Sequence, residues 1–150
     1  MAKAIDSGLV VRSSVTVALA PHDAFRLFTE QVATWWPLAS HSVYGDEATS
    51  VQLEPRVGGR FFESTDDGRT SEWGVVTEWQ PGERLALTWY PGQDPERPTQ
   101  VSVSFHDVPG GTRLDLVHTG WETRGADTDK IAQNYEIGWE FVLGRYLAAA

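Results

Sequence analysis

The chain has 150 residues, of which 41% are hydrophobic and 22% are charged. This is the size and composition of an ordinary globular domain, so extensive disorder is excluded. The chain has no cysteine, which excludes disulfides, thiolate catalysis and cysteine-ligated metals. Its net charge of −9 arises from 21 acidic and 12 basic residues without a basic block. Nucleic-acid binding is therefore disfavoured, because phosphate contacts need clustered Lys and Arg.

The sequence predicts one cytoplasmic domain over residues 1–150, with its core at about 9–148. Residues 1–6 lack the apolar stretch of a signal peptide. No apolar run approaches the roughly 20 residues that cross a bilayer, so no membrane partner is expected. The lack of cysteine also fits a reducing compartment.

The first elements in the chain are a predicted strand and two short helices. Residues 9–19 alternate between apolar and polar side chains, which is the period of a half-buried strand. Pro21 suits the first position of a helix. Apolar residues from Phe25 onward predict two short helices that end before Pro37. Residues 38–48 show no period and are predicted to form a surface loop.

Six further strands are predicted, at roughly 49–54, 59–65, 69–79, 84–90, 99–107 and 112–119. Dipeptides such as Asp67-Gly68 and Gly110-Gly111 separate them and favour the positive φ angles of tight hairpins. Consecutive strands joined by tight turns form an antiparallel meander. The inward phase of the strand at 69–79 is predicted to carry Trp73, Val75, Thr77 and Trp79.

The final segment has the period of an α-helix from about 127 to 147, with apolar residues at every third or fourth position from Ile131 to Tyr146. Such a helix is roughly 30 Å long, and six or seven strands make a sheet about equally wide. The helix can therefore lie across the whole sheet. The predicted fold class is α+β, a curved antiparallel sheet of six to seven strands around a long C-terminal helix.

Six motifs in chain order point to a known family. They lie at residues 21–29 (PHDAFRLFT), 32–37 (VATWWP), 54–62 (EPRVGGRFF), 74–85 (GVVTEWQPGERL), 111–120 (GTRLDLVHTG) and 138–147 (GWEFVLGRYL). Together they resemble the START-related helix-grip (SRPBCC) superfamily, in the branch homologous to the C-terminal domain of the activator of the heat-shock-protein-90 ATPase. The resemblance covers residues 9–148 and implies the helix-grip fold. That superfamily includes lipid carriers, polyketide cyclases and chaperone activators, so the fold leaves the function open.

The resemblance implies a gap between sheet and helix that either a ligand or the protein's own side chains fill. We expect a small hydrophobic or aromatic molecule there. Tryptophan N–H groups, the Tyr135 hydroxyl and His118 would orient it. The predicted ligand-binding residues are Trp36, Phe62, Trp73, Trp89, Phe105, Leu116, His118, Tyr135, Trp139 and Leu143, with His41 and Tyr44 as lid or rim residues.

Two other functions remain open at this point. His118 follows Leu114 and Leu116 on the inward phase of its strand, so it is a candidate proton-transfer residue for a cyclase, dehydratase or hydrolase. Alternatively, the chain is a chaperone-activator-like interaction module with a filled core. No cofactor and no metal are expected, because the histidines lack metal-ligand spacing. A homodimer or a protein partner is left open.

Overall fold

The structure is a computed structural model that describes residues 9–124 and 128–150. Its elements are β1 (Val11–Val17), α1 (Pro21–Phe28), β2 (Ala48–Leu53), β3 (Arg60–Thr65), β4 (Thr70–Gln80), β5 (Arg84–Trp89), β6 (Thr99–Val108), β7 (Gly111–Thr119) and α2 (Thr128–Ala149). Single 3₁₀ turns occupy Val32–Thr34, Gly45–Glu47 and Trp121–Arg124. The predicted features of residues 1–6 and the predicted helix start at 127 lie outside the described residues.

All seven strands belong to one antiparallel sheet in the order β1-β7-β6-β5-β4-β3-β2. The sheet is a meander from β2 to β7, and β1 adds to it by pairing with β7, from Val11 opposite His118 to Val17 opposite Thr112. The sheet curls into a half-barrel around α2. The predicted α+β helix-grip fold is confirmed.

Helix α1 forms as predicted, but the second short helix is a single 3₁₀ turn. Pro21 starts α1, and Asp23 lies in its first turn, where the helix dipole favours an acid. After the turn at Val32–Thr34, the indole N–H of Trp35 donates to the Leu27 carbonyl at 2.7 Å. This bond folds the chain back onto α1, and Pro37 disfavours helical conformation at the residue before it.

Strand β4 departs from the predicted alternation. The register against β3 shifts at Trp73, and the register against β5 shifts again after Val76. Such shifts are the signature of β-bulges, each of which adds one residue to one strand. As a result Trp73 and Val76 are both buried, whereas Val75 is half-buried and Thr77 is exposed. The prediction that Val75 and Thr77 share the buried phase of Trp73 is therefore wrong.

The C-terminal half of α2 is packed closely against α1 and the core. Leu143 and Tyr146 are both 0% exposed. The Tyr146 ring lies 5.5 Å from the Phe28 ring and 5.2 Å from the Trp35 ring, both edge-on. Its hydroxyl donates to the Ala24 carbonyl at 2.8 Å. We call this region the packed end of the molecule.

Candidate ligand-binding cavity

A cavity of about 500 Å³ lies under the N-terminal half of α2. This volume falls within the range of roughly 300–1,000 Å³ that is typical of small-molecule sites. The lining residues come from the loop after α1, from β4, β5 and the turn after β5, and from α2. They are Trp36, His41, Ser42, Val43, Trp73, Trp89, Pro91, Gly92, Gln93, Ile131, Asn134, Tyr135, Gly138, Trp139 and Val142.

Four indole rings form the inner wall of this cavity. They belong to Trp36, Trp73, Trp89 and Trp139, and none is more than 8% exposed. The centroids of neighbouring rings lie 5.1 to 6.3 Å apart, in tilted and edge-on arrangements. Since aromatic pairs prefer these geometries, the wall is a preformed apolar surface. It suits a flat, apolar ligand body.

Three of the four wall indoles present ring surface to the cavity, because the protein itself uses their N–H groups. The three bonds are from Trp36 to the His41 carbonyl at 2.7 Å, from Trp73 to Glu63 Oε1 at 2.7 Å and from Trp139 to His118 Nδ1 at 3.0 Å. These three donors are not available to orient a ligand, contrary to the expectation from sequence.

His118 lies behind the wall and does not line the cavity. It is 0% exposed. Its Nδ1 accepts from Trp139, and its Nε2 lies 2.6 Å from Thr99 Oγ1. The Thr99 hydroxyl donates in turn to the Trp89 carbonyl at 3.1 Å. Because an indole N–H only donates, we assign the imidazole as neutral with its proton on Nε2. This chain of bonds holds two wall tryptophans in place.

Glu63 supports the cavity wall, and sequence reasoning missed it. It is 0% exposed, and its Oε1 accepts from the Val43 N–H at 2.6 Å and from the Trp73 indole at 2.7 Å. Its Oε2 accepts from the Tyr44 N–H at 3.0 Å. The carboxylate therefore anchors the rim loop to the wall. An available signal was that Glu63 shares the inward phase of β3 with Phe61.

His41 lies at the rim, between the loop and α2. Its ring stacks on Phe141 with 5.0 Å between centroids and 12° between planes, and its Nδ1 lies 2.8 Å from Ser40 Oγ. A Cβ atom at Gly138 would be 3.8 Å from Nε2, so the ring lies within van der Waals reach of this position on the helix. Partial burial lowers the pKa of His41 from its ordinary value of 6.5, which favours the neutral imidazole.

Two other predicted site residues point away from the cavity. The Tyr44 hydroxyl donates to the Thr70 carbonyl at 3.0 Å on the outer side of the loop. Phe62 lies on the outer face of β3, where the Arg60 guanidinium covers its ring at 4.4 Å. The inward residue is its neighbour Phe61, at 2% exposure. Because Phe61 and Phe62 are adjacent and equally apolar, the sequence does not show which of them faces the core.

Half of the predicted ligand-binding residues line the cavity, namely Trp36, Trp73, Trp89, Tyr135 and Trp139. The Tyr135 ring also packs on His118 at 4.9 Å. Phe105, Leu116 and Leu143 lie in the core outside the cavity wall. Of the two predicted rim residues, His41 lines the cavity and Tyr44 does not.

Comparison with known proteins assigns the family. Residues 18–150 match the family described as Activator of Hsp90 ATPase homolog 1-like protein. The chain belongs to this family. A search of curated proteins found no match.

Solved structures with similar folds add detail. Txn09, described as an anthrahydroquino-gamma-pyrone synthase, is 36% identical at a TM-score of 0.58, over 81% of this chain and 83% of Txn09. The Aha1 dimer from Colwellia psychrerythraea is 17% identical at a TM-score of 0.69, over 94% of this chain and 95% of that one. Protein MLL2253 from Mesorhizobium loti is 21% identical at a TM-score of 0.66, over 93% of this chain and 95% of MLL2253. Family and neighbours support a ligand-binding or cyclase-type fold.

Within residues 9–124 and 128–150, no helix is long and apolar enough to cross a membrane. The same part of the chain holds no group of three or more His, Asp or Glu side chains arranged to bind a metal ion.

Proposed function

We propose that the protein binds a small, mainly aromatic molecule in the cavity between sheet and helix. The observation that carries this proposal is the wall of four indole rings, which face a space of about 500 Å³. Burying apolar ligand surface against such a wall contributes about 25 cal/mol per Å². Aromatic contacts add to that where the ring geometry is suitable.

The preformed state of the cavity supports this proposal. Glu63 fixes the rim loop and Trp73 through three hydrogen bonds, and the His118 network fixes Trp139. A ligand would therefore meet a wall that is already ordered, so less conformational entropy is lost on binding. The interaction-module alternative expected a filled core, and a cavity of this size does not fit that expectation.

A second candidate function is ring closure on an aromatic substrate, and the 36% identity to the synthase Txn09 favours it. The catalytic role expected for His118 has little support, since both of its nitrogens bond within the protein behind the wall. Proton-transfer groups that do line the cavity are His41 and Tyr135. A catalytic protein would convert its ligand, whereas a carrier would release it unchanged.

Two glycines on α2 offer a matched test of the binding site. Gly138 lines the cavity, whereas a Cβ atom at Gly144 meets nothing within 4 Å. Gly138→Leu should fill the cavity, and Gly144→Leu should leave it open. Binding of anthracene is measured by quenching of tryptophan fluorescence and by thermal shift. At 100 times Kd the ligand adds about 2.7 kcal/mol of stability, which is a rise of roughly 5–10 °C.

We expect the wild-type protein and Gly144→Leu to bind anthracene, and Gly138→Leu to lose binding while remaining folded. Equal binding by both variants would place the ligand elsewhere. No binding of anthracene or of oxygenated aromatic probes by the wild-type protein would refute the proposed function. Mass spectrometry of a recovered oxygenated probe then separates carrier from enzyme.

A further inference from the structure

Three of the four wall indoles have no N–H left for a ligand, so most of the polar groups that face the cavity lie at its rim. The N–H groups of Trp36, Trp73 and Trp139 are bonded to protein acceptors. Polar side chains at the mouth are His41, Ser42, Gln93 and Asn134. They are half-buried or exposed, in contrast to the buried indoles. The rim is therefore where a polar ligand edge would lie.

The Ser42 hydroxyl makes its hydrogen bonds within the loop. Its hydroxyl donates to the Leu38 carbonyl at 2.6 Å and accepts from the Gly45 N–H at 2.9 Å. By contrast, the part of the chain that the structure describes offers no hydrogen-bond partner to His41 Nε2 or to the Asn134 side-chain amide. His41 Nδ1 is held by Ser40, so Nε2 is the nitrogen left for a ligand.

Helix geometry places His41 and Asn134 on the same side of the mouth. Both line the cavity, and His41 covers Gly138, which follows Asn134 by four residues on α2. Four residues rise about 6 Å along a helix, and positions i and i+4 share one face. The two polar groups thus form a short row along one edge of the cavity.

The described lining also carries no formal charge, since it contains no Lys, Arg, Asp or Glu. Proteins recognise carboxylate and phosphate ligands with the cationic side chains of Lys and especially Arg. The net charge of −9 over the whole chain opposes anions further. The lining is therefore suited to an uncharged ligand.

We infer that the cavity selects uncharged, flat aromatic molecules that carry hydroxyl or keto oxygens along one edge, and that His41 Nε2 and the Asn134 amide bind those oxygens. This inference rests on the proposed function and names its ligand class. A neutral imidazole nitrogen accepts from a phenolic hydroxyl or, in the other tautomer, donates to a keto oxygen. The Asn134 amide does both, through its oxygen and its NH₂ group.

The test compares two three-ring probes, 1,8-dihydroxyanthraquinone and anthracene, by tryptophan fluorescence quenching at pH 7.5. His41→Phe keeps a flat ring over Phe141 but removes Nε2, and Asn134→Leu removes the amide at an exposed helix position. Each variant should weaken the oxygenated probe by about five- to tenfold, the effect of one lost hydrogen bond. Anthracene binding should change by less than about twofold.

His106→Gln is the matched control, because His106 lies on the outer face of the sheet, 3.2 Å from Asp115. It should leave both affinities unchanged. Anthraquinone-2-sulfonate, an anionic probe, should bind more weakly than the dihydroxy probe. If both probes bind but His41→Phe and Asn134→Leu affect them equally or not at all, the ligand class is wrong and the proposed function stands. If neither probe binds the wild-type protein, both ideas fail.

Discussion

The two ends of α2 use the same kind of residue for different purposes. At the packed end, Tyr146 contacts Phe28 and Trp35 at ring distances of 5.2 to 5.5 Å, and all three side chains are buried. At the other end, Trp139 contacts Trp89 at 5.1 Å, yet about 500 Å³ is left beside it. Aromatic content alone therefore does not distinguish a core from a binding site.

The difference lies in what faces the rings. At the packed end, α1 lies against the sheet and α2 and brings Phe25 and Phe28 into contact with the other rings. At the cavity end the corresponding space is bordered by a loop rather than a helix, and that loop is tied to Glu63 instead of collapsing onto the wall. Gly138 widens the gap further, because it places no side chain there.

The largest expected contrast is between two truncations on the same helix. Leu143→Ala removes a side chain that is 0% exposed at the packed end, and we expect a loss of about 2–5 kcal/mol in the free energy of unfolding. Ile131→Ala removes a half-buried side chain that already borders the cavity, and the expected loss is about 1 kcal/mol. Urea denaturation measures both, and equal losses would contradict the distinction between the two ends.

Glu63→Ala should have the next largest effect, because it leaves three N–H donors without an acceptor. We expect a loss of about 2–3 kcal/mol in stability, together with faster hydrogen exchange at the Val43 and Tyr44 amides. Glu63→Gln keeps one side-chain oxygen and should be intermediate. Unchanged exchange at both amides in Glu63→Ala would show that the carboxylate does not hold the rim.

Gly144→Ala should stabilise the protein by about 0.5–1 kcal/mol, because glycine is a poor helix former and its Cβ position is open. For a chain of this length, the Tm rises by about 2–4 °C per kcal/mol. Gly138→Ala should behave similarly, since its nearest neighbour atom would be at 3.8 Å. A fall in the Tm of Gly138→Ala would mean that the rim does not tolerate even one methyl group.

The smallest expected effect is a pH dependence from His41. Burial lowers its pKa in the folded state below 6.5, so the unfolded state binds a proton more readily. Its contribution to stability is present above pH 6.5 and is lost as the pH falls through the lower, folded-state pKa. The Tm of the wild-type protein should therefore fall more steeply below pH 6.5 than that of His41→Gln. Parallel curves would contradict the direction of the shift.

The fold could be predicted from the sequence because the patterns that indicate it lie within short segments of the chain. Alternation and turn residues place each strand within a few residues of where it lies. The bulges in β4 could not be predicted, since they depend on how β4 pairs with β3 and β5. The phase at Phe61 and Phe62 was ambiguous because both residues are equally apolar.

The site was less predictable because its roles depend on partners far apart in the chain. The inward direction of His118 follows from alternation, but its structural role depends on Thr99 and Trp139. The loop after α1 has no period, so nothing local indicated that Val43 lines the cavity. The inward phase of Glu63 on β3 does not reveal that it binds the loop amides of Val43 and Tyr44.

The central claim is that ligands enter the indole-lined end and not the packed end. The seven tryptophans give a direct readout, because each indole N–H has its own signal in a ¹⁵N-correlated NMR spectrum, assigned with single Trp→Phe variants. On titration with 1,8-dihydroxyanthraquinone, the signals expected to shift are those of Trp36, Trp73, Trp89 and Trp139. The signal of Trp79, which packs on Phe25 at 5.1 Å, should stay in place. Shifts at Trp79 and Trp35 with the four wall signals unmoved would contradict the account.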